Sequence, residues 1–293
     1  MGPCVSVIIP TYNCARYLPQ AVESVLAQTY PAAAIDLIVI DDGSTDDTEQ
    51  AMLRYASRMR YIKQLNAGTG ASRNAGVRTA AGEYVALLDA DDYWFPDRLA
   101  SMVDLAVRAP GSMVMSDYLV LNEETGVVSP HGNCAAKGLV PLFALPAPKQ
   151  YEEALEANFL VYMCMFPREV FARVGLFDDS LTYGEDWDLQ LRCLQSGIPV
   201  RLVQQPLAVY RHLRPGATTT RHDVGMADSR LRVLQKHRRS VSSRRWNTAR
   251  GMREHYALEY ALAQRQYVPA AISAARLASN WTYARHWLRQ RHA

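Results

Sequence analysis

The chain has 293 residues, 49% of them hydrophobic and 21% charged, enough for one large α/β domain with an appendage or for two smaller domains. That length excludes a small disulfide- or metal-stapled scaffold, and the composition excludes a wholly disordered chain. A formal charge of +3 conceals an asymmetry: residues 201–293 hold 18 Lys/Arg and 4 Asp/Glu, residues 1–200 hold 14 and 25, so a net +14 follows a net −11.

Val5-Ser6-Val7-Ile8-Ile9-Pro10 is short, branched and almost wholly apolar, the pattern of a strand buried on both faces. Leu18, Ala21, Val22, Val25 and Leu26 then recur at helical spacing over 15–28. Leu37–Ile40 reads as a second buried strand ending at Asp41, and 46–57 as a helix capped by Ser44 or Asp46. A strand over 61–64, a helix over 71–80 and a strand over 84–88 ending at Asp89 follow. This alternation predicts an α/β fold with a largely parallel sheet and right-handed crossovers. Beyond residue 110 the alternation weakens, and Pro, Gly and Ala crowd 126–150 into an irregular excursion. A helix is expected over 185–195, short strands over 200–203 and 208–211, and several helices over 223–293, one starting near Pro269 and the last pair forming a hairpin.

The five cysteines are scattered and form no C-x-x-C pair, which predicts reduced, mostly buried thiols. No run of about 18 apolar residues occurs, and no charged n-region with an apolar h-region opens the sequence. A cytoplasmic location is therefore expected.

In a parallel α/β sheet the ligand sits at the carboxyl ends of the strands. Three polar clusters fall there: Thr11-Tyr12-Asn13, Asp41-Asp42-Gly43-Ser44, and Asp89-Ala90-Asp91-Asp92. Crowded carboxylates raise one another's pKa unless a cation neutralises them, and Mg²⁺ or Mn²⁺ does so while leaving positions open for substrate phosphates. The spacing lacks the glycine and terminal Glu of an EF-hand.

Taken in order, Pro10-Thr11-Tyr12-Asn13, Asp41-Asp42-Gly43-Ser44-Thr45-Asp46, Asn66-x-Gly68 with Ser72-Arg73-Asn74-x-Gly76, Asp89-Ala90-Asp91-Asp92 and Glu185-Asp186-x-Asp188 resemble the motifs of a non-processive, bacterial-type family 2 glycosyltransferase. The resemblance covers residues 4–215. It implies the GT-A fold, a Rossmann-like mixed sheet flanked by helices, over residues 1–220, with 221–293 as a basic helical extension. It also implies a nucleotide-sugar donor, UDP-linked, a divalent cation (Mn²⁺ or Mg²⁺), and a glycan, lipid-linked or protein acceptor in glycan biosynthesis. By position, Thr11 and Tyr12 would line the base and Asp41 would bond it. Asp42 either assists base or ribose or caps its turn. Arg73 would approach the diphosphate or base while Asn66, Gly68 and Asn74 shape the loop. Asp89 would hold the ribose or donor sugar and Asp91 the metal, with Asp92 orienting Asp91 or the loop.

Asp186 is implied as the base that deprotonates the acceptor hydroxyl, an alcohol being a poor nucleophile until its proton is removed. Glu185 would contact the acceptor or support Asp186, and Trp187 would stack on the acceptor. Alone, these acids would equally suit the first turn of a helix. Arg211 would meet the diphosphate, and His212 is either a metal ligand or a surface histidine. Trp94 and Phe95 read as packing residues. Processive members carry Gln-x-x-Arg-Trp and membrane spans; here Ser242 stands where that Gln would precede Arg245-Trp246, so one or a few transfers are expected. The alternatives are a non-catalytic nucleotide-sugar or glycan-binding protein, and a sugar nucleotidyltransferase, whose glycine-rich, Lys-containing loop is missing. The basic tail, ending in an amphipathic stretch with Trp281, Ala284 and Leu288 at helical spacing, suits an anionic inner-membrane surface, a packing helix or self-association. No motif for nucleic acid accompanies the charge.

Overall fold

The computed structural model describes residues 2–160, 163–212, 224–280 and 283. The front half alternates β1 (Val5–Thr11), α1 (Leu18–Leu26), β2 (Ile35–Asp41), α2 (Thr48–Met52), β3 (Arg60–Lys63), α3 (Thr69–Thr79) and β4 (Tyr84–Leu87). The second half runs through β5 (Tyr93–Trp94), α4 (Arg98–Arg108), β6 (Met113–Asn122), α5 (Asn133–Ala136), α6 (Ala147–Glu156), β7 (Cys164–Pro167), α7 (Glu169–Val174), α8 (Glu185–Gln195) and β8 (Val200–His212). Then come α9 (Val224–Lys236), α10 (Ser243–Ala263) and α11 (Tyr267–Ala278).

Among the described residues the strands form one eight-stranded sheet, ordered β3-β2-β1-β4-β7-β6-β8-β5. β1 is buried along its whole length and lies between β2 and β4, parallel to both. The chain runs outward from β1 to β3 and then returns to β4 on β1's other side, so the order reverses between β1 and β4. That reversal opens a crevice at the strand ends. α3 packs over β1 and β2, and a Cβ at Gly76 would collide with the Ile8 side chain, so only glycine admits so close an approach.

The sequence expectation of a largely parallel sheet holds for this front half and for the β6–β8 pair. β7 is antiparallel to β4 and to β6, and β5 is antiparallel to β8. β5, β6 and β7 carry weak local patterns: β5 is two residues, β7 is four, and Ser116-Asp117 interrupts the apolar run of β6. β8 is one continuous strand where two short ones were expected. Pro206 sits opposite Asp117, where the pairing with β6 shifts register, a position at which a missing N–H costs no ladder bond. The expected helix over 46–57 is shorter, because after Met52 the chain tightens into a 3₁₀ turn at Leu53–Tyr55. None of the five cysteines, all of them among the described residues, forms a disulfide, and four are buried.

The basic tail docks on this sheet domain. Val233, Leu234, Val241 and Ala249 belong to the same buried cluster as the strands. Lys236 reaches Asp178 at 2.6 Å and the fully buried Asp188 at 2.8 Å, and Asp188 is also held by Arg192 at 2.9 Å. His237 Nδ1 lies 2.8 Å from the Tyr151 hydroxyl, and Arg245 Nε donates to the Leu155 carbonyl at 3.0 Å. Ser242 caps α10 by accepting the Arg245 N–H. α10 and α11 pack as an antiparallel hairpin, with Arg276 near Glu254 and Asn280 donating to the Asn247 carbonyl. No helix among the described residues is long and apolar enough to cross a membrane. The amphipathic stretch over 281–293 lies, apart from Tyr283, outside the described residues.

Candidate active site

The loops after β1 and β2 are stitched together. Asn13, at positive φ, accepts the Thr45 N–H at 2.8 Å through its side chain, while its own N–H donates to Ser44 Oγ at 2.9 Å. Asp41 is fully buried, accepting the Ser44 N–H at 2.8 Å and the Tyr61 hydroxyl at 2.5 Å. Burial and this carboxylate together drive the Tyr61 hydroxyl's pKa upward. Of the two readings of Asp42, capping is the one its bonds describe. Its carboxylate accepts the N–H groups of Ala67 and Gly68 at 3.0 and 2.8 Å and the Gln64 amide at 2.7 Å, fixing the loop that leads into α3. At the end of β1, Thr11 Oγ1 is buried without a hydrogen-bond partner, while Tyr12 is half exposed at the crevice rim.

The centre of the site is the buried guanidinium of Arg73. It donates to Glu185, 112 residues further along the chain, at 2.5 Å and to Asp89 at 2.8 Å, joining the loop after β4 to the start of α8. Its face lies over the Phe177 ring at 5.8 Å, and Asn74, one residue on, exchanges two 2.9 Å bonds with the Phe177 backbone. Asn74 thus pins the segment that leads to α8. Gly184, at positive φ, starts α8 and presents Glu185, Asp186 and Asp188 in its first turn, where the helix dipole favours them.

Three carboxylates, those of Asp89, Glu185 and Asp186, therefore act on one cation. Burial pushes the Glu185 carboxyl well above its ordinary range, against the pull of Arg73 and with Asp186 adding like charge. Burial raises Asp89 as well, opposed by Arg73 and reinforced by Asp91 and Asp186. The Arg73 pKa moves up despite its burial because Asp89 and Glu185 stabilise its charge. This excess of oxygen donors suits a hard divalent cation. No group of three or more His, Cys, Asp or Glu side chains disposed to hold a metal occurs among the described residues. A cation here would take one or two carboxylates and draw its other ligands from substrate phosphate and water.

Arg73, Asp89, Glu185, Asp186 and Trp187 line one pocket of about 500 Å³. Sequence reasoning missed the rest of its wall: Tyr118 and Tyr210 from β6 and β8, Asn158, Leu160 and Met163, Tyr183, and Met226 and Arg230 from α9. Tyr118 stands out in no motif, and α9 belongs to the region set apart by its charge. Trp187 differs from the stacking role expected for it. Its ring is buried and its indole N–H donates to the Ala154 carbonyl at 3.2 Å.

Arg211 lies outside this pocket. Its guanidinium pairs with Glu123 at 2.8 Å, bonds Gln20, and lies over the Tyr17 and Tyr93 rings, tying β8 to α1 instead of facing a diphosphate. The Arg211 N–H donates to Asp92 at 2.7 Å, which gives the buried Asp92 its role of fixing the loop after β4. The His212 ring stacks on Tyr210 at 6.4 Å. Trp94 is buried beneath Arg98, as a packing residue should be.

Residues 6–175 match the model described as glycosyl transferase family 2. The chain belongs to that family. Family 2 resemblance by sequence extends to an uncharacterised glycosyltransferase of Rickettsia typhi (strain ATCC VR-144 / Wilmington), 30% identical over 204 residues, 66% of this chain and 59% of that protein. The chondroitin synthase of Escherichia coli is 30% identical over 199 residues, 67% of this chain and 27% of the synthase. The matches thus span about three fifths or less of these relatives' own lengths. Among solved structures, S. aureus TarS 1-349 in complex with UDP-GlcNAc superposes with a TM-score of 0.64 at 17% identity, over 98% of this chain and 92% of that one. The mannosyltransferase PcManGT of Pyrobaculum calidifontis, in complex with GDP-Man and Mn²⁺, gives 0.60 at 20% identity, over 95% and 75%. At such identities the likeness is one of fold, and the fold is GT-A. The family match ends ten residues before Glu185, so the place of α8 in the site rests on geometry.

Proposed function

We propose that the chain is an inverting glycosyltransferase that moves a sugar from a nucleotide-diphosphate donor, UDP-linked, to an acceptor hydroxyl. The observation that carries this reading is the meeting of Asp89, Arg73, Glu185 and Asp186 in one pocket. Thr11, Tyr12 and Asp41 flank the nucleotide at the ends of β1 and β2. Asp89 holds the donor sugar or ribose, and Asp186, half-buried at the start of α8, takes the proton of the acceptor hydroxyl. The acceptor oxygen forms a bond to the anomeric carbon as the bond to the diphosphate oxygen breaks, and the nucleoside diphosphate leaves with that electron pair. One displacement inverts the carbon.

Asp91, with Asp89 beside it, would hold Mg²⁺ or Mn²⁺, whose charge offsets the one gathering on the leaving diphosphate. Arg73 sets the spacing of the donor-side Asp89 and the acceptor-side Glu185. A role in surface glycan synthesis at the cytoplasmic face, with 221–293 contacting a membrane or a second copy, is part of the same reading.

In the test, Asp186→Asn should keep its affinity for UDP and lose about 10²- to 10⁴-fold in transfer rate. Full activity in that variant removes Asp186 as the base. Mn²⁺ should strengthen UDP binding in calorimetry, and Asp91→Ala should abolish the gain; UDP binding indifferent to metal overturns the cation's role.

A further inference from the structure

The basic tail contributes to the wall of the pocket. Arg230 on α9 lines it together with Met226 and Trp187. Three cations of this tail have a carboxylate among the described residues: Lys236 has Asp178 and Asp188, Arg253 has Asp228 and Glu254, and Arg276 has Glu254. Arg230 has none among the described residues. It pairs with neither Glu185 nor Asp186, although all three line the same pocket. Its one contact of this kind is with the Trp187 ring, 5.8 Å from its guanidinium carbon, which positions the cation without neutralising it.

The surroundings make the lone charge costly. Burial lowers the Arg230 pKa. Arg245, from α10, is pushed down to about 10 by burial first and by Arg230 next, with Glu156 opposing. Arg245 Nη2 is buried without a hydrogen-bond partner. Arg230, which lines the pocket, thus has a second guanidinium, that of Arg245, close enough to repel it. A half-buried, unpaired cation is destabilising unless an anion arrives to meet it, and the forked N–H groups of arginine match a phosphate or carboxylate.

We propose that Arg230 recognises an anionic group, a phosphate or a carboxylate, carried by the acceptor. This rests on the transferase reading above. The donor's sugar and diphosphate have Asp89 and Arg73 in this pocket and its base-binding residues (Thr11, Tyr12, Asp41 and Asp42) lie outside it, so the anion left for Arg230, which lines the pocket with Asp186 and Trp187, is the acceptor's. An acceptor that sets its hydroxyl at Asp186 and its anion at Arg230 fills the gap that these two side chains leave unbridged. Tyr118, Tyr183 and Tyr210 supply aromatic faces for its apolar parts. The tail would thus select acceptors from within the site.

The experiment titrates glycerol 3-phosphate, glucuronate, glycerol and glucose into the full chain, with and without saturating UDP and Mn²⁺. Wild type, Arg230→Met and Arg230→Lys are compared, and thermal melts confirm folding. At least one of the two anions should bind, at least tenfold more tightly than its neutral counterpart, and should weaken at least tenfold in Arg230→Met. Arg230→Lys should recover part of the loss, and the UDP dissociation constant should change less than twofold in either variant. Preference for glycerol 3-phosphate assigns a phosphate, and preference for glucuronate a carboxylate. Equal binding of neutral and anionic probes, no binding of either anion, anion binding unchanged in Arg230→Met, or a tenfold weakening of UDP in that variant would each overturn the proposal. Absence of UDP binding in wild type would instead count against the transferase reading, and the titrations without UDP would still test Arg230.

Discussion

The acidic front and the basic tail handle charge in opposite ways. Around Arg73 the carboxylates outnumber the cation, and burial drives Asp89 and Glu185 toward protonation. In the tail three cations are already met among the described residues: Lys236 by two aspartates, Arg253 by Asp228 and Glu254, and Arg276 by Glu254. The front holds unneutralised charge where it faces a pocket. The tail turns much of its charge inward, and Arg230 is the cation it leaves exposed to that pocket. Net charge by segment therefore misleads about surfaces: the +14 of residues 201–293 is in part an internal adhesive.

The largest effect expected on stability tests the front. Arg73→Met leaves Asp89 and Glu185 without their shared cation. Removing one member of a buried ion pair costs about 3–5 kcal/mol, a large part of a typical domain's stability of about 5–15 kcal/mol. Urea denaturation should show a loss of that order, and a loss below about 1 kcal/mol would mean that the two acids do not depend on Arg73. A smaller effect probes the docking of the tail. Leu234→Ala should cost about 2–5 kcal/mol and lower the unfolding midpoint of the sheet together with that of the helices. Separate transitions, with the sheet's midpoint unmoved, would make α9–α11 an independent unit.

The smallest effect concerns the charges that bridge the two regions. Burial works to raise the Asp178 carboxyl, but hydrogen bonds from Lys236 and Ser180 outweigh it and hold the group down at about 2. A folded-state value below the unfolded 3.8 contributes stability that is present above pH 3.8 and disappears as the pH falls toward 2. Both side chains are partly exposed, so the contribution is about 1 kcal/mol or less. Asp178→Asn should lose that amount at pH 7 and match the wild type near pH 2. A difference that persists to pH 2 would place its origin outside this ion pair.

Elements whose signal is local were legible in the sequence. β1 and β2 read as buried strands from their apolar runs, and α8 starts and stops where its pattern predicted. The candidate carboxylates were legible because strand ends gather at one edge of a parallel sheet. β5, β6 and β7 escaped notice because they are short or interrupted and are held by partners far along the chain. The partners of Arg211 and Trp187 were not legible for a related reason. An arginine in a motif looks alike whether it faces a ligand or a glutamate such as Glu123, and Trp187 beside two acids gives no sign that its indole is turned to the Ala154 carbonyl.

By itself the sequence determined the family, the parallel front half and the cluster of carboxylates at its strand ends, since each is written in residues close together along the chain. Tertiary structure decided which charges are neutralised. Arg73 meets Asp89 and Glu185 only because α3 packs over β1 and β2, and Arg230 stands alone at the pocket only because Val233 and Leu234 bury α9 against the sheet domain. Electrostatic pairing depends on distances of a few ångströms, and those are set by packing between segments far apart in the chain.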